Sequence, residues 1–165
     1  MRRPATRGTP SIPSRSNLHL RRRGQRKIVT VTLEEANQAI SRALSHAASM
    51  SARVSVSVCA PDGHLIAHQR MDGAFAEAFW GSIGKAIAAA QEGRPSGDPL
   101  ERTDPFPATG LLTAMGAPNL RRPGGLPIFR QGLLLGAIEV SGSSSNEDVE
   151  NCARAGLRSF GDGDA

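Results

Sequence analysis

The 165-residue chain has few aromatic residues and few cysteines, and each shortage excludes a class of protein. Its aromatic residues are five Phe, one Trp and no Tyr, too few for the stacking platforms that hold single-stranded nucleic acids. Its two cysteines, Cys59 and Cys152, cannot build a disulfide framework or, by themselves, a zinc site. The apolar runs are far shorter than a membrane span, so we expect a soluble protein with no membrane partner.

The net charge of +5 comes from one end of the chain. Residues 1–27 contain nine of the 20 basic side chains and no acidic one, which leaves 11 basic against 15 acidic groups in residues 28–165. A body that binds nucleic acid should have a basic face of its own, and this body has a net charge of −4. We therefore expect no nucleic-acid partner for residues 28–165.

Residues 1–27 are rich in Arg, Pro, Ser and Thr and have neither helical nor strand periodicity. Such a segment buries too little apolar surface to offset its ordering entropy, so we expect a disordered basic tail. A secretory signal would need an apolar core that is absent here, which favours a cytoplasmic protein. The composition also fits an organelle transit peptide or a basic arm, although we favour a plain unstructured extension.

The first half of residues 28–165 predicts a helix, a hairpin and a second helix. A capping box at Thr32–Glu35 opens an amphipathic helix over residues 33–50. Alternating Val and Ser or Cys over residues 53–60 predicts a half-buried strand, and a Pro-Asp-Gly turn leads to a return strand over residues 64–70. An Ala-rich helix is then predicted over residues 75–92.

The second half predicts a long loop, a second hairpin and a last helix. Pro and Gly punctuate residues 93–125, with a short element predicted at Leu111–Met115. Strands are predicted over residues 126–130 and 133–140, the latter central because it is apolar throughout its first half, and a helix extends from about 146 to 160. Two adjacent hairpins indicate an α+β domain with one antiparallel sheet of about four to five strands flanked by helices.

The end of the first hairpin has residues suited to binding an anion. Arg70 can grip a carboxylate with two hydrogen bonds, and a strand-to-helix junction presents backbone N–H groups. Asp72 is predicted to cap the following helix, and Gly73 to relieve strain at the turn. Lys85, a lone cation among small residues, is expected to pair with Asp72 or Glu77 or to bind a ligand carboxylate.

Two histidines lie on predicted elements of the body, one on a helix and one on a strand. His46 lies at the edge of the apolar face of the first helix, and His68 is predicted to pack against a helix or to line a pocket. His46 is therefore either an ordinary boundary residue or an axial ligand to an iron in a cavity. For any lone histidine, however, a structural role is the more frequent one.

These pieces, in their order, resemble the GlcG/HbpS-like haem-binding family, which also occurs as the C-terminal domain of PduO-type cobalamin adenosyltransferases. The resemblance covers about residues 30–160 and rests on an ordered set of segments. They are TVTLEEA, VSVCAPDGHLIAHQRMDGA, SIGKAIAAA, GGLPIF, GLLLGAIEVSG and ED leading into ARAGL.

The resemblance implies a compact antiparallel domain that forms homo-oligomers, commonly dimers or octamers, and binds haem or a small molecule. The positions that match the family's recurrent motifs are Arg70, Asp72, Lys85, Gly124, Gly125 and Pro127. The haem ligand does not carry over by position. His and Met are ordinary axial ligands of haem iron, so the candidates chosen from their chemistry are His46, His68 and Met71.

One departure opens an enzymatic alternative. The family's strand usually reads Gly-Ala-Ile-Gly-Val-Ser-Gly, and here Glu139 replaces the middle Gly. A buried carboxylate has a raised pKa and suits acid–base work, so Glu139 and Asp72 are the candidate catalytic residues of a cofactor-independent isomerase, lyase or cyclase acting on a small anionic intermediate. A third hypothesis is an assembly domain with no ligand chemistry.

Overall fold

A computed structural model describes residues 29–98 and 122–161. The predicted tail over residues 1–27 and the short element predicted at Leu111–Met115 lie outside these ranges. Most of the long loop predicted over residues 93–125 lies outside them as well.

Within these two ranges, three α-helices and four strands follow one another in the order that the sequence predicts. They are α1 (Leu33–Ser49), β1 (Ser55–Cys59), β2 (Leu65–Arg70), α2 (Glu77–Glu92), β3 (Gly125–Arg130), β4 (Leu133–Ser141) and α3 (Asn146–Leu157), with a final 3-10 turn (Arg158–Phe160).

The strands form one antiparallel sheet in the order β2-β1-β4-β3. β1 and β4 are central, as predicted for the apolar strand β4. Helices α1 and α3 cover one face of the sheet and pack on the Val side chains of β1. Helix α2 covers the other face, where its Ala residues meet Cys59 and Ala137. The predicted α+β fold is therefore confirmed.

The predicted capping box at the start of α1 is confirmed. The Thr32 hydroxyl accepts a hydrogen bond from the Glu35 N–H (3.2 Å), and the Glu35 carboxylate accepts one from the Thr32 N–H (2.9 Å). Four Ala and one Ile form the buried stripe of the helix. These small residues let α1 lie close to the sheet and to α3.

The prediction of a half-buried β1 is wrong in one respect. All five of its residues are buried, including Ser55 and Ser57. The alternation correctly separates the two faces, but α2 covers the face that was expected to meet solvent. A polar layer is thereby enclosed between α2 and the sheet.

Among the helices in the described ranges, none is both long and apolar enough to cross a bilayer.

Candidate functional site

A row of functional residues crosses the sheet beneath α2. The strand register places Ser57 between His68 on β2 and Glu139 on β4, and Glu139 opposite Gly125 on β3. Side chains that are directly opposite on neighbouring strands lie on the same face, so the row faces α2 as a unit. Helix α2 adds two polar side chains of its own at positions three residues apart, Ser82 and Lys85.

At one end of the row, two hydroxyls and an imidazole form a hydrogen-bonded cluster. The Ser57 Oγ atom lies 2.9 Å from Nδ1 of His68 and 2.8 Å from Oγ of Ser82. The Ser82 hydroxyl in turn donates to the backbone carbonyl of Phe79, at 3.0 Å. We call Ser57, His68 and Ser82 the histidine cluster.

The two ring nitrogens of His68 differ in their contacts. Nε2 is buried and makes no hydrogen bond within the part of the chain that the structure describes. The ring meets Phe79 edge-on, with 4.7 Å between centroids, and Phe79 meets Trp80 in the same way at 4.8 Å. Because Trp80 is 58% exposed, an aromatic path connects the histidine cluster to the surface.

His68 is held neutral at physiological pH. Burial lowers the pKa of the imidazole, and the nearby guanidinium of Arg70 lowers it further. A neutral imidazole keeps one nitrogen lone pair, which is the form that binds metal ions. The cluster therefore contains a Lewis base.

Arg70 at the end of β2 and the two residues that follow it point to different parts of the molecule. Arg70 pairs in register with Ser55, on the same face as His68, and its Nη2 donates to the carbonyl of Ala74 (2.5 Å). Met71 packs instead against the core under α1, so it does not meet His68. Asp72 is exposed in a turn.

The prediction that Asp72 caps α2 is wrong. The residue at the N-cap is Ala76, which makes no side-chain cap, and the helix begins at Glu77 rather than Phe75. The N–H of Ala74 bonds to the carbonyl of Met71, and Gly73 adopts a left-handed φ of 81°. These turns place Asp72 too early in the chain to reach the helix end.

At the other end of the row, Lys85 and Glu139 form a buried ion pair. Their Nζ and Oε1 atoms are 2.5 Å apart, and the side chains are 8% and 0% exposed. Lys85 also donates to the carbonyls of Val140 (3.0 Å) and Pro123 (3.1 Å), so its three N–H groups all have acceptors. Lys85 therefore pairs with neither Asp72 nor Glu77, the two partners considered from the sequence.

Glu139 has an unusual protonation behaviour. Burial raises its pKa to about 8, although Lys85 acts in the opposite direction. The carboxylate is fully enclosed, and its removal from water disfavours the charged form more than the Lys85 ammonium and the Val140 backbone favour it.

Gly124 and Gly125 complete the packing around the ion pair. Gly124 has a φ of 122°, and a Cβ atom there would lie 2.6 Å from Oε1 of Glu139. Ser96, which the sequence did not single out, accepts from the Gly125 N–H (3.0 Å) and donates to the Arg122 carbonyl (2.6 Å). The two glycines thus let the backbone approach the Glu139 and Ser96 side chains closely.

The remaining candidates lie apart from the row. Pro127 lines a hollow of about 280 Å³ at the β3 edge with Phe129 and Leu157. His46, on α1, borders a groove with Arg42 and Arg158 on the opposite side of the sheet from His68. One chain cannot use both histidines on one iron.

The proposed pair of catalytic carboxylates does not form. Glu139 is enclosed on central strand β4, while Asp72 is exposed beyond the end of edge strand β2, with β1 between the two strands. Nor do any three His, Cys, Asp or Glu residues in ranges 29–98 and 122–161 group as a metal site would require. The row beneath α2 is thus the place where chemistry-bearing side chains meet.

Comparisons with known proteins agree with this architecture. The family model described as "Haem degrading protein HbpS-like" matches residues 31–158. A double mutant of Streptomyces reticuli HbpS has a similar structure, with 25% identity, a TM-score of 0.69, and coverage of 94% of this chain and 99% of that one.

Two further solved structures share the fold. Klebsiella pneumoniae protein ORFY has 23% identity and a TM-score of 0.69, with 86% of this chain and 97% of that one covered. A PduOC–haem complex has 21% identity and a TM-score of 0.67, with 81% and 96% covered. No curated protein sequence matches the chain.

Proposed function

This chain belongs to the HbpS-like family, and we propose that it is a small haem-binding protein whose iron ligand is Nε2 of His68. The observation that carries the proposal is the buried nitrogen of a neutral imidazole that has no hydrogen-bond partner among the described residues. The similar structures named HbpS and PduOC–haem complex support a haem-related role.

The surroundings of His68 fit a haem group. Imidazole is the commonest protein ligand of haem iron, and Nδ1 of His68 is already hydrogen-bonded in the way that orients a metal-binding ring. Phe79 and the exposed Trp80 offer aromatic surface to a flat apolar macrocycle. Arg70, on the same face of β2, suits a propionate carboxylate.

Each of these residues has a separate task in binding. His68 would supply the nitrogen lone pair, Phe79 and Trp80 would exclude water from the ring, and Arg70 would neutralise an acidic substituent. Because Nε2 is buried, a side-chain rotation must uncover it before a ligand can bind. Bound haem would supply a redox-active iron, and the chain itself supplies the nitrogen, the apolar walls and the cation.

Titration with hemin tests the proposal. The wild-type protein should shift the Soret band of hemin, with one hemin bound per His68. His68→Ala should abolish or displace that shift. His46→Ala is the matched control, since it removes an imidazole on the other side of the sheet and should leave the spectrum unchanged. A wild-type protein that leaves the hemin spectrum unaltered would rule out the proposed function.

The enzymatic alternative has less support. It required Asp72 and Glu139 to face one substrate, and Glu139 is fully buried against Lys85 while Asp72 lies at the surface. The alternative also required Arg70 and Lys85 to hold the anionic substrate. Lys85 is not available for this task, because its ammonium is already bonded within the fold.

The finer role that we propose is haem or iron handling or sensing in the cytoplasm, by a homo-oligomer such as a dimer or octamer. Trp80 and Phe75, which are 58% and 70% exposed, support association because large apolar side chains at a surface favour contact with another chain. Light scattering with and without hemin measures the assembly.

A further inference from the structure

We propose that Ser57 and Ser82 are positioning residues that fix the tautomer of His68, with the proton on Nδ1 and a bare lone pair on Nε2. The use of that lone pair by haem rests on the proposed function. The tautomer itself is a property of the protein without any ligand.

The direction of the hydrogen bonds follows from the last acceptor. A backbone carbonyl can only accept, so the Ser82 hydroxyl uses its single proton on Phe79. Ser82 must then accept from Ser57, and Ser57, whose proton is used in turn, must accept from Nδ1–H of His68. The protons therefore run in one direction, from the imidazole to the helix backbone.

The opposite direction satisfies fewer groups. If Nδ1 accepted from Ser57, the single proton of Ser82 would have to serve either the contact with Ser57 or the bond to the Phe79 carbonyl, leaving two hydrogen bonds instead of three. Nε2 would then carry a proton in a buried position without an acceptor among the described residues. Buried N–H groups without a partner are rarer than under-satisfied acceptors, so the first arrangement is favoured.

This arrangement prepares His68 for a Lewis acid. Donation from Nδ1–H to an oxygen fixes the orientation of a ligating imidazole and makes its other nitrogen a stronger base. Ser57 lies on a central strand and Ser82 inside a helix, so both hydroxyls are rigidly placed. Neither hydroxyl would contact a bound iron, and each acts through His68.

Nitrogen-15 NMR of the ligand-free protein tests the tautomer directly. The His68 signals, identified by their loss in His68→Gln, should show a protonated Nδ1 and an unprotonated Nε2 at pH 8. Ser57→Ala should move population toward the Nε2–H form, and Ser82→Ala should do so more weakly. Ser57→Thr, which restores the hydroxyl, should return the wild-type pattern.

Ser55→Ala is the matched control for Ser57→Ala. Ser55 is buried on the same face of the same strand, but its hydroxyl has no partner among the described residues. Its removal should leave the His68 signals unchanged. A protonated Nε2 in the wild type, or a tautomer indifferent to Ser57→Ala, would overturn the proposal.

Hemin titration separates this proposal from the proposed function. Ser57→Ala should weaken hemin binding by about tenfold, as loss of a hydrogen bond to a metal-binding histidine typically does, whereas Ser55→Ala should not. If the free protein shows the predicted tautomer but does not bind hemin, haem binding alone is refuted. If the protein binds hemin but its free form carries the proton on Nε2, the positioning role alone is refuted.

Discussion

The histidine cluster and the Lys85–Glu139 pair occupy one row of the sheet beneath one helix, yet they differ in burial and in bonding. Lys85 and Glu139 are almost wholly buried, and the ammonium has three acceptors within the fold. His68 is half-buried and keeps one nitrogen without a partner among the described residues.

The difference shows how similar residue types acquire different roles. The Lys85 ammonium, and Glu139 above its raised pKa of about 8, must find partners within the fold, because an unpaired buried charge is costly. The imidazole is neutral, so leaving one nitrogen unbonded costs far less. We therefore interpret the ion pair as a structural lock that holds α2 against β4 and the 123–125 segment, and the histidine cluster as the binding end of the row.

The largest effect should come from breaking the lock. Lys85→Met removes the ammonium that compensates Glu139 and should lower the free energy of unfolding by about 3–5 kcal/mol at pH 9, where Glu139 is ionised. Urea denaturation followed by circular dichroism measures the loss. The double variant Lys85→Met/Glu139→Leu should recover most of it; equal instability of the single and double variants would argue against the ion-pair explanation.

A smaller loss is expected where the backbone approaches the pair. Gly124→Ala places a Cβ atom 2.6 Å from Oε1 of Glu139 at a φ of 122°, and should destabilise the protein by about 2–3 kcal/mol. Gly132→Ala is the control, because its φ is also positive (73°) but no atom lies within 4 Å. Thermal unfolding should show a clearly smaller loss for Gly132→Ala, and equal losses would mean that backbone strain alone is responsible.

The lock should also respond to pH. Because the pKa of Glu139 rises from 4.5 to about 8 on folding, the folded state binds more protons between these values. The contribution of Glu139 is therefore complete below pH 4.5 and is lost as pH rises toward 8. Between pH 6 and pH 7, wild-type stability should fall relative to Glu139→Gln by about 1 kcal/mol. Parallel urea titrations measure this difference, and a constant difference would contradict the raised pKa.

The smallest effects should distinguish two serines on one strand. Ser57→Ala breaks the histidine cluster and should cost about 1 kcal/mol. Ser55→Ala removes a buried hydroxyl that lacks a partner among the described residues, so it should be neutral or slightly stabilising. Urea unfolding of both variants checks this, and a greater loss for Ser55→Ala would reverse our interpretation of β1.

The sequence predicts the elements better than the side-chain partners. Periodicity and the Thr32–Glu35 capping box indicate α1, and the apolar run in β4 indicates a central strand; both are confirmed. The same alternation in β1 does not reveal that α2 covers its serines. Nor does it show that Lys85, 54 positions from Glu139, reaches that carboxylate.

The histidine cluster depends on the same long-range placement. His68, Ser57 and Ser82 come from three elements, and only the strand register and the rotation of α2 bring them together. Local sequence signals report the period of an element but not its neighbour. Serines at alternate positions of a strand, followed by a serine within an Ala-rich helix, are the one signal that could have suggested a polar layer.

Hemin affinity measured side by side for His68→Ala and Glu139→Gln tests the central distinction most directly. Both variants change one residue in the same row beneath α2. The account predicts that His68→Ala weakens binding at least about tenfold, while Glu139→Gln binds hemin like the wild type. Full affinity in His68→Ala, or its loss in Glu139→Gln, would place the binding end of the row elsewhere and contradict the account.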